Sequence, residues 1–209
     1  ISRRLRPHVH AYYDFARVID DIVDTDQLDA PAKIARLDAM EEVVLGRRLA
    51  PPRADAQTAV RVGQTLRETG VPTSTATDLI VAFRQDAVKN RYDSWEELEE
   101  YCRYSANPVG RFLLELHGED AGTFGPSDAL CTALQVLNHL QDCADDLSAL
   151  DRCYLPRPWL EQAGASIDDL RGRHASPGLR RVFNQLLDRV DELNRRDSLL
   201  PGLIRDRRM

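Results

Sequence analysis

No stretch of this 209-residue chain approaches about 18 uninterrupted apolar residues, which excludes a membrane-spanning helix. Cys-x-x-Cys pairs are missing as well. The four cysteines, Cys102, Cys131, Cys143 and Cys153, stand singly in helix-like or apolar surroundings, so they read as reduced core thiols of a cytoplasmic protein, not as disulfide or zinc partners. Basic residues are not in excess: 28 Lys and Arg against 34 Asp and Glu leave a net charge of -6, which argues against a nucleic-acid partner. Lysine is scarce beside arginine, a bias that suits bidentate contact with phosphate or carboxylate but that genomic base composition also produces. No alternating run of β-branched residues is long enough to specify a strand. No internal repeat, low-complexity linker or glycine-rich nucleotide fingerprint is found.

What is present is helical punctuation from end to end. "RPHVHAYYDFARVIDDIVD" has helical spacing and carries Pro7 in its first turn, where a missing N–H matters little. "PAKIARLDAMEEVVLG" and "ADAQTAVRVGQTLRETG" each end in Gly, a common helix terminator. Ser94 followed by Glu97 predicts a capping box, and the helix it opens is interrupted at Asn107 and Pro108. "SDALCTALQVLNHLQDCADDLSAL" is the longest unbroken helical pattern. The expected fold is an all-α single domain.

Two of these stretches carry an unusual polar stripe. Steps of three and four residues return to nearly the same helix face. Gln135, Asn138, Asp142 and Asp146 follow that rule, and so, independently, do Tyr13, Arg17, Asp20 and Asp24. Leu134, Leu137 and Leu140 are expected to pack elsewhere. An Asp pair at helical spacing is by itself well explained as a solvated face. Two such ladders with amide, Arg and Tyr in register, set in apolar sequence, argue for more: helices packed face to face with four carboxylates on one cavity. Such a cluster repels itself unless cations sit within it. Hard divalent cations with oxygen ligands are the natural choice, meaning Mg²⁺ shared with a substrate diphosphate. A di-iron centre is excluded, because none of the five histidines has a Glu three residues before it. His139 falls off the stripe and reads as a packing or rim residue.

These residues resemble the squalene and phytoene synthase family. "DDIVD" at Asp20 to Asp24 is similar to its first Asp-rich motif, and "NHLQDCADD" followed by "DRCYLP" to its second. "YCRYSANPVGRFL" also looks like a family segment, closest to the bacterial hopanoid branch that converts presqualene diphosphate to hydroxysqualene. The resemblance runs along nearly the whole chain and implies an all-α isoprenoid-synthase helical bundle around a central apolar cavity. It implies Mg²⁺ held by Asp20, Asp24, Asn138, Asp142 and Asp146, with turnover depending on Asp20 and Asp142. Arg17 and Gln135 would touch diphosphate, with Arg152 a weaker candidate. Tyr13 and Tyr101 would line the reacting centre, where π-faces stabilise a carbocation without attacking it. Asp86 and Lys89 are weaker candidates still, explained equally well as a solvated helix face.

Departures accompany the likeness. Gln141 stands where many members have Arg, which removes a diphosphate contact and suits a synthase handling one diphosphate. Against the family pattern, residues 1–209 also lack an opening segment and the closing helices. The alternative within the family is condensation of two farnesyl diphosphates to presqualene diphosphate, squalene or dehydrosqualene. The alternative outside it is a non-catalytic helical binding protein. A prenyl diphosphate substrate implies contact with the inner membrane surface, though no basic amphipathic helix stands out for it. Oligomeric state is left open.

Overall fold

The computed structural model describes residues 1–206. Ten helices follow in order: α1 (Arg6–Asp24), α2 (Ala30–Val44), α3 (Ala54–Thr69), α4 (Ser74–Asp86), α5 (Trp95–Ser105), α6 (Asn107–Leu116), α7 (Phe124–Leu150), α8 (Arg157–Gln162), α9 (Pro177–Asp197) and α10 (Leu200–Leu203). The all-α expectation is met, and the local signals explain most boundaries. Pro7 lies in the first turn of α1, and Gly70 ends α3 at φ 74°, a left-handed position that glycine takes without strain. Ser94 accepts from the Glu97 backbone N–H at 3.1 Å, as the capping box predicts. The Glu97 carboxylate reaches back to the Asp93 N–H at 2.6 Å, one residue beyond the expected partner. The chain breaks between α5 and α6, beside Pro108.

One expectation fails. Two short strands, β1 (Arg91–Tyr92) and β2 (Cys153–Pro156), pair in parallel with Arg91 opposite Cys153. At two and four residues they are too short to show alternation. Only the long-range approach of the two segments makes them strands, anchored by the Cys153 N–H donating to the Asn90 carbonyl at 3.0 Å.

The interior divides into two cores. Phe15, Ile19, Leu37, Val62, Leu79 and Ile80 belong to one, built from α1 to α4 with Phe112 of α6. Tyr92, Leu98, Val136, Leu155, Val182 and Leu186 belong to the other, built from α5, α7, α9 and the strands. The seam between them is closely packed. A Cβ on Gly110 of α6 would lie 2.5 Å from Ser127 Oγ and 2.6 Å from Cys131 Sγ of α7. Glycine there lets α6 lie against α7. The four cysteines are free, as expected.

A second expectation is corrected by this division. The helices carrying the two ladders are not bundle partners: α1 packs chiefly on α2, α3 and α4, and α7 chiefly on α9, α6 and α5. Each ladder rests on its own core and reaches the other across the seam.

Candidate active site

On α1, Ile19, Ile22 and Val23 are buried and fix the opposite side of the helix toward the seam. Arg17 donates to Asp20 at 2.6 Å and to Asp21 at 3.2 Å, so this ladder carries its own cation. Burial pushes the Asp20 carboxyl up to about 6, and the charge of Asp24 adds to this while Arg17 opposes it. Asp24 ends the helix and accepts from Arg152 Nη1 at 3.3 Å. Tyr13 is 61% exposed at the far end of the same ladder.

On α7, Gln135 and Asp146 are half-buried, while Asn138 and Asp142 are exposed. The Asp146 carboxyl is raised by burial first, then by Asp142, and also by Asp24 from the other helix. That last influence joins the C-terminal ends of the two ladders across the seam. Among the described residues no ion pair or hydrogen bond engages the Asp142 or Asp146 carboxylates. Nor, among those residues, do three His, Cys, Asp or Glu side chains converge closely enough to share one ion.

Leu134 and Leu137, expected to pack, are 52% and 38% exposed. They lie one turn before Asn138 and Gln141 and extend the polar stripe into an apolar one. Leu140 does pack against the second core, and His139 is buried, stacked on Tyr154 at 3.5 Å with burial pushing its ring down to about 3.

Behind the junction lies a feature that the spacing of the ladders does not disclose. Asp151 caps α7 in the left-handed region at φ 52°, which strains an L-residue by about 1 kcal/mol. Asn90 donates to its carboxylate at 3.2 Å and Arg91 at 2.6 Å, holding the turn. The chain then doubles back into β2 and places Arg152, buried, between the ladders. Its Nε lies 3.9 Å from Asp86 Oδ1 and its Nη2 donates to the Asp86 carbonyl at 3.4 Å.

Asp86 is itself buried, which overturns the solvated-face reading for this residue. Tyr101 donates to its Oδ2 at 2.8 Å, and among the described residues Oδ1 has no hydrogen-bond partner. Burial pushes the carboxyl up to about 7 against the opposing charge of Arg152. Tyr92, Tyr101 and Tyr154 enclose it, with centroids 5.4 to 5.7 Å apart. Lys89 instead pairs with Glu97 and lies 4.5 Å over the Tyr92 ring. A cleft of about 420 Å³ opens at this junction, lined by Asp24, Lys33, Asp86, Lys89 and Arg152. A larger groove, about 910 Å³, lies along α1 on the side of Asp14, Asp21 and Arg61 and shares only Arg17 with the ladder. Of the ladder carboxylates only Asp24 lines the smaller space, where it stands beside Asp86 and Arg152.

The structure thus gathers Asp20, Asp24, Asp86, Asp146 and Arg152 electrostatically, with Tyr101 against Asp86. Tyr13, Gln135, Asn138 and Asp142 stand farther along the ladders. All donors in the ladders are oxygen, of the kind hard cations take, and a buried unpartnered carboxylate oxygen faces the same arginine.

Comparison with known proteins gives the same direction. Residues 1–209 match the squalene/phytoene synthase family. The chain is 44% identical to a hydroxysqualene synthase of Rhodopseudomonas palustris and 41% identical to one of Sinorhizobium fredii, in each case over all of this chain and 70% of the relative. A squalene synthase structure from Alicyclobacillus acidocaldarius superposes with a TM-score of 0.83 at 38% identity, covering 98% of this chain and 76% of that one. A dehydrosqualene synthase structure shares the fold, with a TM-score of 0.82 at 24% identity, over 99% of this chain and 71% of that one. With two acidic ladders meeting at a seam, and a family match along its whole length, the chain belongs to the squalene/phytoene synthase family, whose enzymes act on prenyl diphosphates.

Proposed function

We propose that this enzyme ionises presqualene diphosphate and lets water capture the cation, yielding hydroxysqualene, diphosphate and a proton. The observation that carries this is that Arg152, turned back from the end of α7, pairs with Asp24 of α1 at 3.3 Å, so that the ends of the two carboxylate ladders come together at one guanidinium. The relatives named hydroxysqualene synthase, at 39 to 44% identity, support the choice of substrate.

In this reading Asp20, Asp24, Asn138, Asp142 and Asp146 hold Mg²⁺, which when bound neutralises the departing diphosphate. Arg17, Gln135 and Arg152 orient its oxygens. Leu134 and Leu137 offer a surface to the prenyl chain, and the Tyr101 and Tyr13 rings face the cation. Tyr101 is fixed in place by the hydrogen bond that its hydroxyl donates to Asp86. Residues 1–209 are read as one synthase domain, cytoplasmic and touching the membrane only peripherally. No described helix is long and apolar enough to cross a membrane.

Condensation of two farnesyl diphosphates is the second reading, favoured by the likeness to phytoene synthases at 24 to 30% identity. Feeding farnesyl diphosphate and presqualene diphosphate separately, with product analysis by mass spectrometry, separates the two. Hydroxysqualene from presqualene diphosphate alone is expected; consumption of farnesyl diphosphate only would overturn the proposal.

A further inference from the structure

Most arginines of this protein that pair with acids do so tightly. Arg36 meets Asp55 at 2.6 Å, and Arg111 holds Asp128 with a two-pronged fork at 2.9 and 2.6 Å. Arg152 is different. Its side chain is only 9% exposed, yet its ion-pair distances are 3.3 Å to Asp24 and 3.9 Å to Asp86, with no fork closed on either. A buried guanidinium normally needs close, charge-assisted bonds to offset its lost hydration. Here the fold goes to some length to place it: a left-handed Asp151, clamped by Asn90 and Arg91, turns the chain so that Arg152 comes back between the ladders. The guanidinium is held near two acids by long, single contacts, 3.3 Å to the Asp24 carboxylate and 3.4 Å to the Asp86 carbonyl.

Resting on the prenyl-diphosphate reading, we propose that Arg152 is an exchangeable counter-cation. It neutralises Asp24 until Mg²⁺ takes that carboxylate, and the released guanidinium then binds a diphosphate oxygen. Divalent metal and Arg152 compete for Asp24, while diphosphate gives Arg152 a new partner at the moment it loses the old one. Metal and diphosphate each favour the same arrangement of the arginine, so each raises the affinity for the other. The site is then reluctant to load Mg²⁺ alone and closes its electrostatic balance only with diphosphate present.

This makes two opposed demands on one side chain, and calorimetric titration of the purified chain reads both. Arg152→Gln is expected to bind Mg²⁺ alone about fivefold more tightly than the native protein, because the competitor is gone. At saturating Mg²⁺ it is expected to bind pyrophosphate about tenfold more weakly, because a charge-assisted contact is gone. A fixed structural cation would leave pyrophosphate binding unchanged, and a fixed phosphate ligand would leave Mg²⁺ binding unchanged. Either result overturns the exchange. If Arg152→Gln fails to fold, the double variant Arg152→Gln with Asp86→Asn removes the buried carboxylate together with its cation and carries the same two titrations. Failure of the native chain to bind Mg²⁺ and pyrophosphate even together would instead sink the prenyl-diphosphate reading itself.

Discussion

The ladders on α1 and α7 have nearly the same spacing and opposite electrostatics. On α1, Arg17 lies one turn before Asp20 and binds it at 2.6 Å, so the helix neutralises part of its own charge. On α7 the residues in register are Gln135 and Asn138, and the Asp142 and Asp146 carboxylates carry no ion pair among the described residues. Arg152, whose charge opposes the raised Asp146 carboxyl, pairs instead with Asp24 of the opposite ladder at 3.3 Å. One ladder is thus prepaired and the other is left open. In the proposed reaction the open side would take the metal while the paired side supplies a guanidinium for phosphate.

The sharpest way to break the comparison is to remove one acid from each side. Asp20→Ala and Asp142→Ala are each expected to reduce turnover on the order of 10³-fold at saturating Mg²⁺, since several kcal/mol of charge stabilisation is lost. Helical content by circular dichroism should stay near native in both. Retained turnover in either variant would remove that ladder from the site. Mg²⁺ affinity should fall more in Asp142→Ala than in Asp20→Ala, because only the α1 acid already shares a cation.

The two cores beneath the ladders give the next largest effect. Phe15→Ala in the first core is expected to destabilise by about 3 to 5 kcal/mol and Leu186→Ala in the second by about 2 to 5 kcal/mol, both sites being essentially inaccessible to solvent. With the seam packed through Gly110, denaturant unfolding should remain a single transition in each. Two separated transitions would make the halves independent units and the seam a mere contact.

Acidity tests the paired side. Asp20 and Asp86 are raised to about 6 and 7, so each contributes stability that is present below its ordinary range and lost as pH rises through those values. Mg²⁺ requires the charged forms, so the stabilisation it gives should run the other way. Melting with Mg²⁺ and pyrophosphate at pH 5.5 should show a clearly smaller shift than at pH 7.5, with apparent Mg²⁺ affinity lower by roughly three- to tenfold. A shift independent of pH would place the metal away from Asp20. The smallest effect concerns the open side. Gln141→Arg adds a charge on an exposed position beside Asp142, which should change stability by no more than about 0.5 kcal/mol and strengthen pyrophosphate binding a few-fold.

Much of this was legible in the chain. Spacing alone placed Asp20 with Asp24 and Asp142 with Asp146 on common faces, because helix periodicity is a local property. Pro7, Ser94 and Gly70 marked boundaries for the same reason. Misreadings fall where distant segments meet. Asp86 looks like any acid at the end of an amphipathic helix; only the approach of Tyr101 from α5 and of Arg152 and Tyr154 from the segment after α7 buries it. Leu134 and Leu137 look like core residues, and remain exposed because no described helix lies over them. Strands of two and four residues carry no periodicity to detect.

The sequence by itself determined an all-α chain with two acidic ladders, since 3.6-residue periodicity and capping act over a turn or two. Tertiary structure alone decided that the ladders rest on separate cores, that they meet only at their C-terminal ends, and that a buried arginine stands between them. Electrostatic balance among carboxylates depends on distances of a few ångströms between residues more than a hundred positions apart, and no local pattern encodes those.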